Sequence, residues 1–400
     1  MALSGIRKIL MITLPFSLIA GVLAAAAVEV WVRATWDTRR GRPGFFLTDP
    51  VRGQRLAAGY DGWFAGVPVH INSLELRDPR EYSFDKRANT FRILVLGDSV
   101  TFGHGSVYEH TYPRLLEERL RQWRPDVDWQ VWNAAVPGYN TSQELAQLLE
   151  VGARFQPDLV VVGFFWNDLY DNQPATRPGW VRTAGAQTLS FARRHFYSFE
   201  FYKRAYLTAR WRLSGQKDDR LRAEHADGEQ QLLAATDLSG APEQRLTSYE
   251  HLTDERVAAL RCVDGMTFSP ESIRNIERDP GYAAWRRAVR DLQQLNRDGR
   301  FRIVFFVNSA PAKCRTGLDG EFFYDGGTRS VDQYYLKILG EGTPAVSSFE
   351  RFMHTRPDQM PDADEHSIGN SNAVKADVLF EFLQQRILPE QLSAARDASR

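Results

Sequence analysis

The chain reads as an α/β protein: a doubly wound parallel sheet flanked by helices. Three observations lead there. Short, continuous apolar runs recur at Ile93–Leu96, within Asp158–Phe165 and within Arg302–Val307, the pattern of strands buried on both faces. Segments with helical periodicity alternate with them, as βα units require. The first run breaks into Gly97-Asp98-Ser99, at the carboxyl strand end where open α/β sheets place their ligands.

At the amino end, Ile9–Val28 carries no charged residue and follows Arg7 and Lys8. Twenty helical residues reach about 30 Å, enough to cross a bilayer core. Trp31 and Arg33 follow as interfacial anchors would. The expectation is a short tail over 1–8 and a transmembrane signal-anchor over 9–32. A cleaved signal peptide is the competing reading, since Ala24–Ala27 offers small residues of the A-x-A kind. Arg33, Arg39, Arg40 and Arg42 outnumber Arg7 and Lys8, so the positive-inside rule does not favour export.

Residues 33–90 form a connector rich in Gly, Pro and charge, with Val67–Leu76 expected as a β-ribbon and no chemistry of its own. The main domain then starts with the first strand. Leu115, Leu116 and Leu120 mark a helix over Tyr112–Trp123. Asp128–Trp132 is the second strand, and Thr141–Phe155 a helix capped by Thr141 or Ser142 with Glu144 in its first turn. About a hundred residues separate the third and fourth strands, more than a minimal βα unit needs. The part at about 170–265 is expected as a helical cap over the carboxyl edge of the sheet. In it, Ser190–Leu213 is basic, aromatic and helical. Core packing of its aromatics is favoured over contact with lipid headgroups. Met266–Arg297 returns to helix, a final helix spans about Asn372–Arg386, and 390–400 is a tail.

Four hundred residues with 43% hydrophobic content bury a sizeable core, and a formal net charge of zero gives no field for nucleic acid. Cys262 and Cys314 are too few for a disulfide scaffold; they are either one bridge, the favoured reading if the chain is exported, or two buried thiols. No cofactor fingerprint is present. Asp358, Asp362, Asp364, Glu365, His354 and His366 match no metal-ligand spacing and read as a solvated acidic loop.

The chemistry sits in four segments. Gly97-Asp98-Ser99 breaks the first strand and closely resembles block I of the SGNH (GDSL-type) hydrolases, which makes Ser99 the implied nucleophile. Asn133-Ala-Ala-Val-Pro-Gly138 follows the second strand and resembles block II, with Gly138 as its glycine. Gly163-Phe-Phe-Trp-Asn167-Asp168 follows the third and resembles block III, with Asn167 as its asparagine. Pro361-Asp-Ala-Asp-Glu-His366 precedes the last helix as block V does. The resemblance implies a flavodoxin-like hydrolase domain over 91–389, with His366 as general base. The amides of Ser99 and Gly138 and the side chain of Asn167 form the implied oxyanion hole. The family's Asp three residues before the His is Ala363 here, so Asp364, with Asp362 as the alternative, is expected to orient His366. His104 is given no role.

The implied function is a serine esterase or acylhydrolase working through an acyl-Ser99 intermediate, without metal or cofactor. A membrane-tethered domain on the periplasmic or extracytoplasmic side would meet O-acetyl or acyl esters of envelope polysaccharide or lipid. Two alternatives stay open: an O-acetyltransferase using the same site, and a non-catalytic membrane assembly module that keeps the fold.

Overall fold

The computed structural model describes residues 2–36, 43–87, 89–169, 172, 179–213, 260–262, 270–308, 314–316, 329–353, 362–363 and 366–398. Helix α1 (Ala2–Thr35) runs unbroken through Pro15. Its stretch Pro15–Thr35 has a mean hydropathy of 1.9 and is long and apolar enough to cross a membrane; a signal sequence has the same length and composition.

The connector forms two antiparallel hairpins, β1 (Phe46–Asp49) with β2 (Gly53–Leu56) and β3 (Tyr60–Phe64) with β4 (Val67–Ile71). The expected ribbon is thus the second of two. The hairpins build a core of their own. Phe45, Leu47, Leu56, Tyr60, Val69 and Ile71 are buried in it together with Phe102, Ala135, Val136 and Tyr139 from the main domain.

The main sheet has five parallel strands: β5 (Thr90–Gly97), β6 (Asp128–Asn133), β7 (Leu159–Phe164), β9 (Ile303–Val307) and β11 (Ala345–Ser347), in the order β11-β9-β7-β5-β6. The chain steps from β5 outward to β6 and then returns to the other side of β5, so the topological switch point lies at the carboxyl end of β5. Alternate residues serve the two faces. Leu94, Leu96, Val160, Val162, Ile303 and Phe305 pack on one side with Trp132, Trp285, Val289 and Leu292. Ile93, Val95, Val161, Val304 and Phe306 pack on the other with Leu116, Leu120, Leu379 and Leu383. That double burial explains why the strands read as unbroken apolar runs.

The helices follow in order. A single turn α2 (Ser99–Phe102) and α3 (Tyr112–Trp123) come after β5. After β6 comes α4 (Thr141–Gln147), which a wider turn joins to α5 (Ala153–Phe155). The cap of α4 is Asn140, not Thr141 or Ser142. Its side chain accepts from Gln143 N while Gln143 Oε1 accepts from Asn140 N, a reciprocal box.

The basic aromatic segment is two helices, α6 (Trp180–His195) and α7 (Ser198–Leu213). They part at Phe196–Tyr197, where the Glu29 carboxylate of α1 accepts from the amides of Tyr197 and Ser198 at 3.0 and 2.9 Å. Core packing does not take the exposed aromatics Phe191, Phe196, Phe201, Tyr202 and Tyr206. One face of α6 rests on β1, where Ser190 Oγ donates to Thr48 O at 2.9 Å. Residues 170–171, 173–178, 214–259 and 263–265 of the expected cap lie outside the described residues.

Short β8 (Leu260–Cys262) pairs with β10 (Cys314–Thr316) and sets Cys262 directly opposite Cys314. Opposed residues of antiparallel strands lie about 4.5–5.5 Å apart at Cα, the span of a disulfide. The expected single helix before β9 is two, α8 (Pro270–Glu277) and α9 (Tyr282–Arg297), separated at Pro280-Gly281. α10 (Arg329–Leu339) and α11 (Phe349–Met353) flank β11. β12 (Asp362–Ala363) and β13 (His366–Ser367) form a minimal hairpin before α12 (Asn370–Phe382). The helical path then continues through Leu383–Ile387 into α13 (Leu388–Ala398), so the expected tail is helical, held by buried Ile387 and Leu388.

Candidate active site

Ser99 is the first residue of the single turn after β5. Asp98 caps that turn: its Oδ1 accepts from Val100 N at 2.9 Å. The first amide of a helix has no intrahelical partner, so Ser99 N–H faces outward unclaimed by the turn. Gly97 is required by close approach, because a Cβ there would stand 2.2 Å from Thr101 Oγ1. The turn ends at Gly103, and the amides of Gly103 and His104 both donate to Ser99 O.

His366 lies 267 residues further on, yet its Nε2 stands 2.8 Å from Ser99 Oγ. The β12–β13 hairpin delivers it there, pairing Ala363 with His366 and Asp362 with Ser367 in an extended ladder. Asp362 was expected to reach His366 through a helical turn, and this backbone is not one. Asp364 lies outside the described residues.

Asn167 stands in the tight turn Trp166–Leu169 just beyond β7. Its side chain donates to the Asp98 carboxylate, the residue before Ser99, and its own Oδ1 is buried with no partner among the described residues. Gly138 lies beyond β6 with a φ of +79°, a left-handed conformation that favours glycine. The three strand ends around the switch point therefore carry Ser99, Gly138 and Asn167.

Beneath them are three fully buried carboxyl groups, Asp98, Glu144 and Asp168. Burial pushes Asp98 up, opposed by the His366 charge and by hydrogen bonds from Val100, Thr101 and Asn167. Burial also pushes Glu144 well up, with the Asp98 charge adding to it. Asp168 goes the same way through burial and then through Glu144 and Asp98. Each of the three carboxyl groups thus opposes ionisation of the others. Asp168 Oδ2 accepts from Phe165 N at 3.0 Å, which closes the turn carrying Asn167. Among the described residues no group of His, Cys, Asp and Glu is placed to hold a metal.

Four further residues shape the site. The His104 ring stacks on His366, centroids 4.3 Å apart at 27°, and meets the edge of Phe64 on its other side. Burial, the His366 charge and Arg77 push His104 down to about 3, so it is neutral wherever His366 works as a base. Arg77 of the connector is buried and donates to the carbonyls of Phe102 and Gly103 at 2.5 and 2.6 Å, and also to that of Ser106. Asn133 donates to the carbonyls of Thr101 and Phe102 at 3.2 and 3.3 Å. Asn308, beyond β9, donates to Thr101 Oγ1 at 3.1 Å, as does Tyr112. A signal existed for two of them: Asn308 directly follows the apolar strand β9, and Asn133 ends β6. His104 and Arg77 gave none, because their partners lie far away in sequence.

The connector also reaches the second strand end. Gln54 Nε2 donates to Pro137 O at 2.8 Å, Tyr139 Oη to Gln54 O at 2.6 Å, and Gln143 Nε2 to Arg52 O at 2.6 Å. The connector, expected to carry no chemistry of its own, thus braces both loops that carry Ser99 and Gly138.

Residues 95–255 match the GDSL-like lipase/acylhydrolase family, a segment that includes Ser99, Gly138 and Asn167 but not His366. An arylesterase of Vibrio mimicus is 35% identical over 77 residues, 19% of this chain and 38% of that enzyme. The chain thus matches well under half the length of that relative. Among solved structures, a putative acylhydrolase from Bacteroides fragilis is 12% identical with a TM-score of 0.32, over 75% of this chain and 88% of the other. An acetylxylan esterase from Geobacillus stearothermophilus is 12% identical with a TM-score of 0.34, over 73% and 94%. Residues 95–255 are thus similar to the GDSL-like lipase/acylhydrolase family, and Ser99, Gly138 and Asn167 lie within the matched segment.

Proposed function

We propose that the protein is a serine ester hydrolase in which Ser99 is the nucleophile and His366 the general base. One observation carries this reading: Ser99 Oγ and His366 Nε2 are 2.8 Å apart at the switch point of the sheet. Ser99 Oγ attacks the ester carbonyl carbon while His366 Nε2 takes the hydroxyl proton. The negative oxygen of the tetrahedral intermediate is held by the amides of Ser99 and Gly138 and the Asn167 amide group. Collapse breaks the ester C–O bond, and His366 returns its proton to the leaving alcohol. Water, activated by the same base, releases the acid.

His366 must keep its proton on Nδ1 to present Nε2 to Ser99, and Asp364 is assigned to hold it so. The extended pairing of Asp362 with Ser367 and of Ala363 with His366 is not the helical turn that Asp362 would need, which supports Asp364 over Asp362. Helix α1 tethers the domain to a membrane, with the site on the extracytoplasmic side. The substrates assigned to it are short acyl esters of envelope glycan or lipid.

Hydrolysis of an aryl acetate by the purified protein and by Ser99→Ala, Asp364→Asn and Asp362→Asn variants tests the reading. Turnover should vanish almost entirely in folded Ser99→Ala and fall far more in Asp364→Asn than in Asp362→Asn. Near-normal turnover in Ser99→Ala would sink the nucleophile. If both Asp variants keep more than half of wild-type kcat/KM, no carboxylate orients His366.

A further inference from the structure

The segment Trp180–Leu213 stands out in a chain of zero net charge: it carries seven Lys and Arg against one Glu, with nine aromatics. The structure turns that composition into a surface. On α7, Tyr202, Tyr206, Ala209 and Leu213 recur at spacings of four, three and four residues, which puts them in one stripe. All four are exposed, Tyr206 at 62% and Leu213 at 88%. By the same periodicity Lys203 and Arg210 flank the stripe on one side and Arg212 on the other. On α6, Trp180 is 82% exposed and lies with Phe191 on one flank of the helix, about 80–100° around it from Ser190, which meets β1.

Where these helices sit is the second observation. Their elbow is fastened to the last turns of α1, at the end of its apolar stretch. Glu29 accepts from Tyr197 N, Ser198 N and Ser198 Oγ. Arg33 Nη2 donates to His195 O at 2.7 Å, and its guanidinium lies 4.8 Å from the Tyr197 ring centre. Trp31 meets the edge of Phe201, and Trp36 that of Tyr197. A span whose apolar core is Ile9–Val28 places Glu29 to Trp36 at the water–lipid boundary, and everything fastened there shares that level.

We propose that α6 and α7 form a platform that rests on the surface of an anionic bilayer, with the tyrosine stripe and Trp180 in the headgroup layer and Lys203, Arg210 and Arg212 on lipid phosphates. The proposal rests on α1 being a membrane span. Three features select lipid over a protein partner. The aromatics are the amphipathic Tyr and Trp of membrane interfaces, the flanking charges are of one sign, and the surface is continuous with the span itself. The platform also bears on the site. The hairpin on which α6 rests holds Pro137, next to Gly138, through Gln54. Esters of molecules embedded in that leaflet would therefore reach Ser99 without leaving the membrane surface.

The test reconstitutes the full chain into phosphatidylcholine vesicles with and without phosphatidylglycerol. A phospholipid with a diazirine near its headgroup is photolysed and the labelled peptides are mapped by mass spectrometry. The expected result is label on both 9–32 and 180–213, the latter enriched in anionic vesicles. Combined Lys203→Glu, Arg210→Glu and Arg212→Glu should cut the label on 180–213 about fivefold or more. That variant should leave the label on 9–32, and the turnover of a soluble aryl acetate, unchanged. Label on 9–32 alone overturns the platform and leaves the anchor standing. Label on 180–213 alone overturns the anchor and with it the platform, whose level is set by the span, and label on neither overturns both.

Discussion

Two regions build this site, and they differ in kind. The ends of β5, β6 and β7 carry the residues proposed to do the chemistry: Ser99, Gly138 and Asn167 stand where a parallel sheet changes direction. The connector, Phe45 to Arg87, supplies none of it and yet closes the back of the same site. Arg77 gathers three carbonyls of the loop behind Ser99, and Gln54 and Tyr139 tie the Gly138 loop to the β1–β2 hairpin. A reacting group has its identity fixed by the reaction. A bracing group needs only to reach, so it is found at any sequence distance and in many residue types. The difference is testable: changes in the first region should alter kcat with little effect on stability, and changes in the second should cost stability first.

The largest effect expected is on the chemical side. Asn167→Ala should lower kcat by about 10²–10³ with a smaller change in KM, as when a donor acting in the transition state is removed. Steady-state kinetics on an aryl acetate decides this, and an effect confined to KM would move Asn167 from the oxyanion to substrate binding.

On the bracing side, Arg77→Met should cost about 3 kcal/mol, because a buried charged donor leaves three carbonyls of its loop unsatisfied. Denaturant unfolding measures it. The comparison also demands that kcat fall only about tenfold or less at temperatures where the variant is folded, through displacement of Ser99 by a fraction of an ångström. A stable Arg77→Met protein with kcat reduced as far as in Asn167→Ala would break the distinction.

His104 lies between the two classes, stacked on the base yet outside the proton path. Its folded pKa of about 3 is below the ordinary histidine value of about 6.5. The unfolded chain therefore binds a proton in that window that the folded chain refuses. The contribution is absent above about pH 6.5, and stability is lost as pH falls toward 3, by at most about 1.4 kcal/mol per pH unit. His104→Phe keeps a ring against His366 and removes the titration, so its melting temperature should fall less steeply between pH 6.5 and 4. An unchanged slope would show that His104 does not titrate there.

This contrast also explains what the sequence disclosed. The sheet was legible because double burial leaves Leu94 to Leu96 or Val160 to Val162 no polar residue. The motif positions were legible because Ser99 and Asn167 each follow such a run at short distance and Gly138 follows the second strand. His366 was found through its place before the last helix. The bracing residues were not legible: nothing around Arg77 says that Phe102 and Ser106 will be its partners. The cap of α4 was missed although Asn140 and Gln143 hold the N-x-x-Q spacing of a capping box, a local signal passed over for the hydroxyls beside it. The aromatics of α6 and α7 were misjudged for another reason. Tyr202 and Tyr206 have the same helical spacing whether they face a core or a bilayer, and only the position of α1 separates the two.

The central claim is that Ser99, paired with His366, is the nucleophile. Incubation with a fluorophosphonate followed by peptide mapping tests it most directly, since the probe reports the activated hydroxyl without any choice of substrate. The account predicts one phosphonyl adduct, on Ser99, absent in Ser99→Ala and formed far more slowly in His366→Ala. A folded protein that stays unlabelled where a known esterase reacts, or an adduct on another serine, would contradict it.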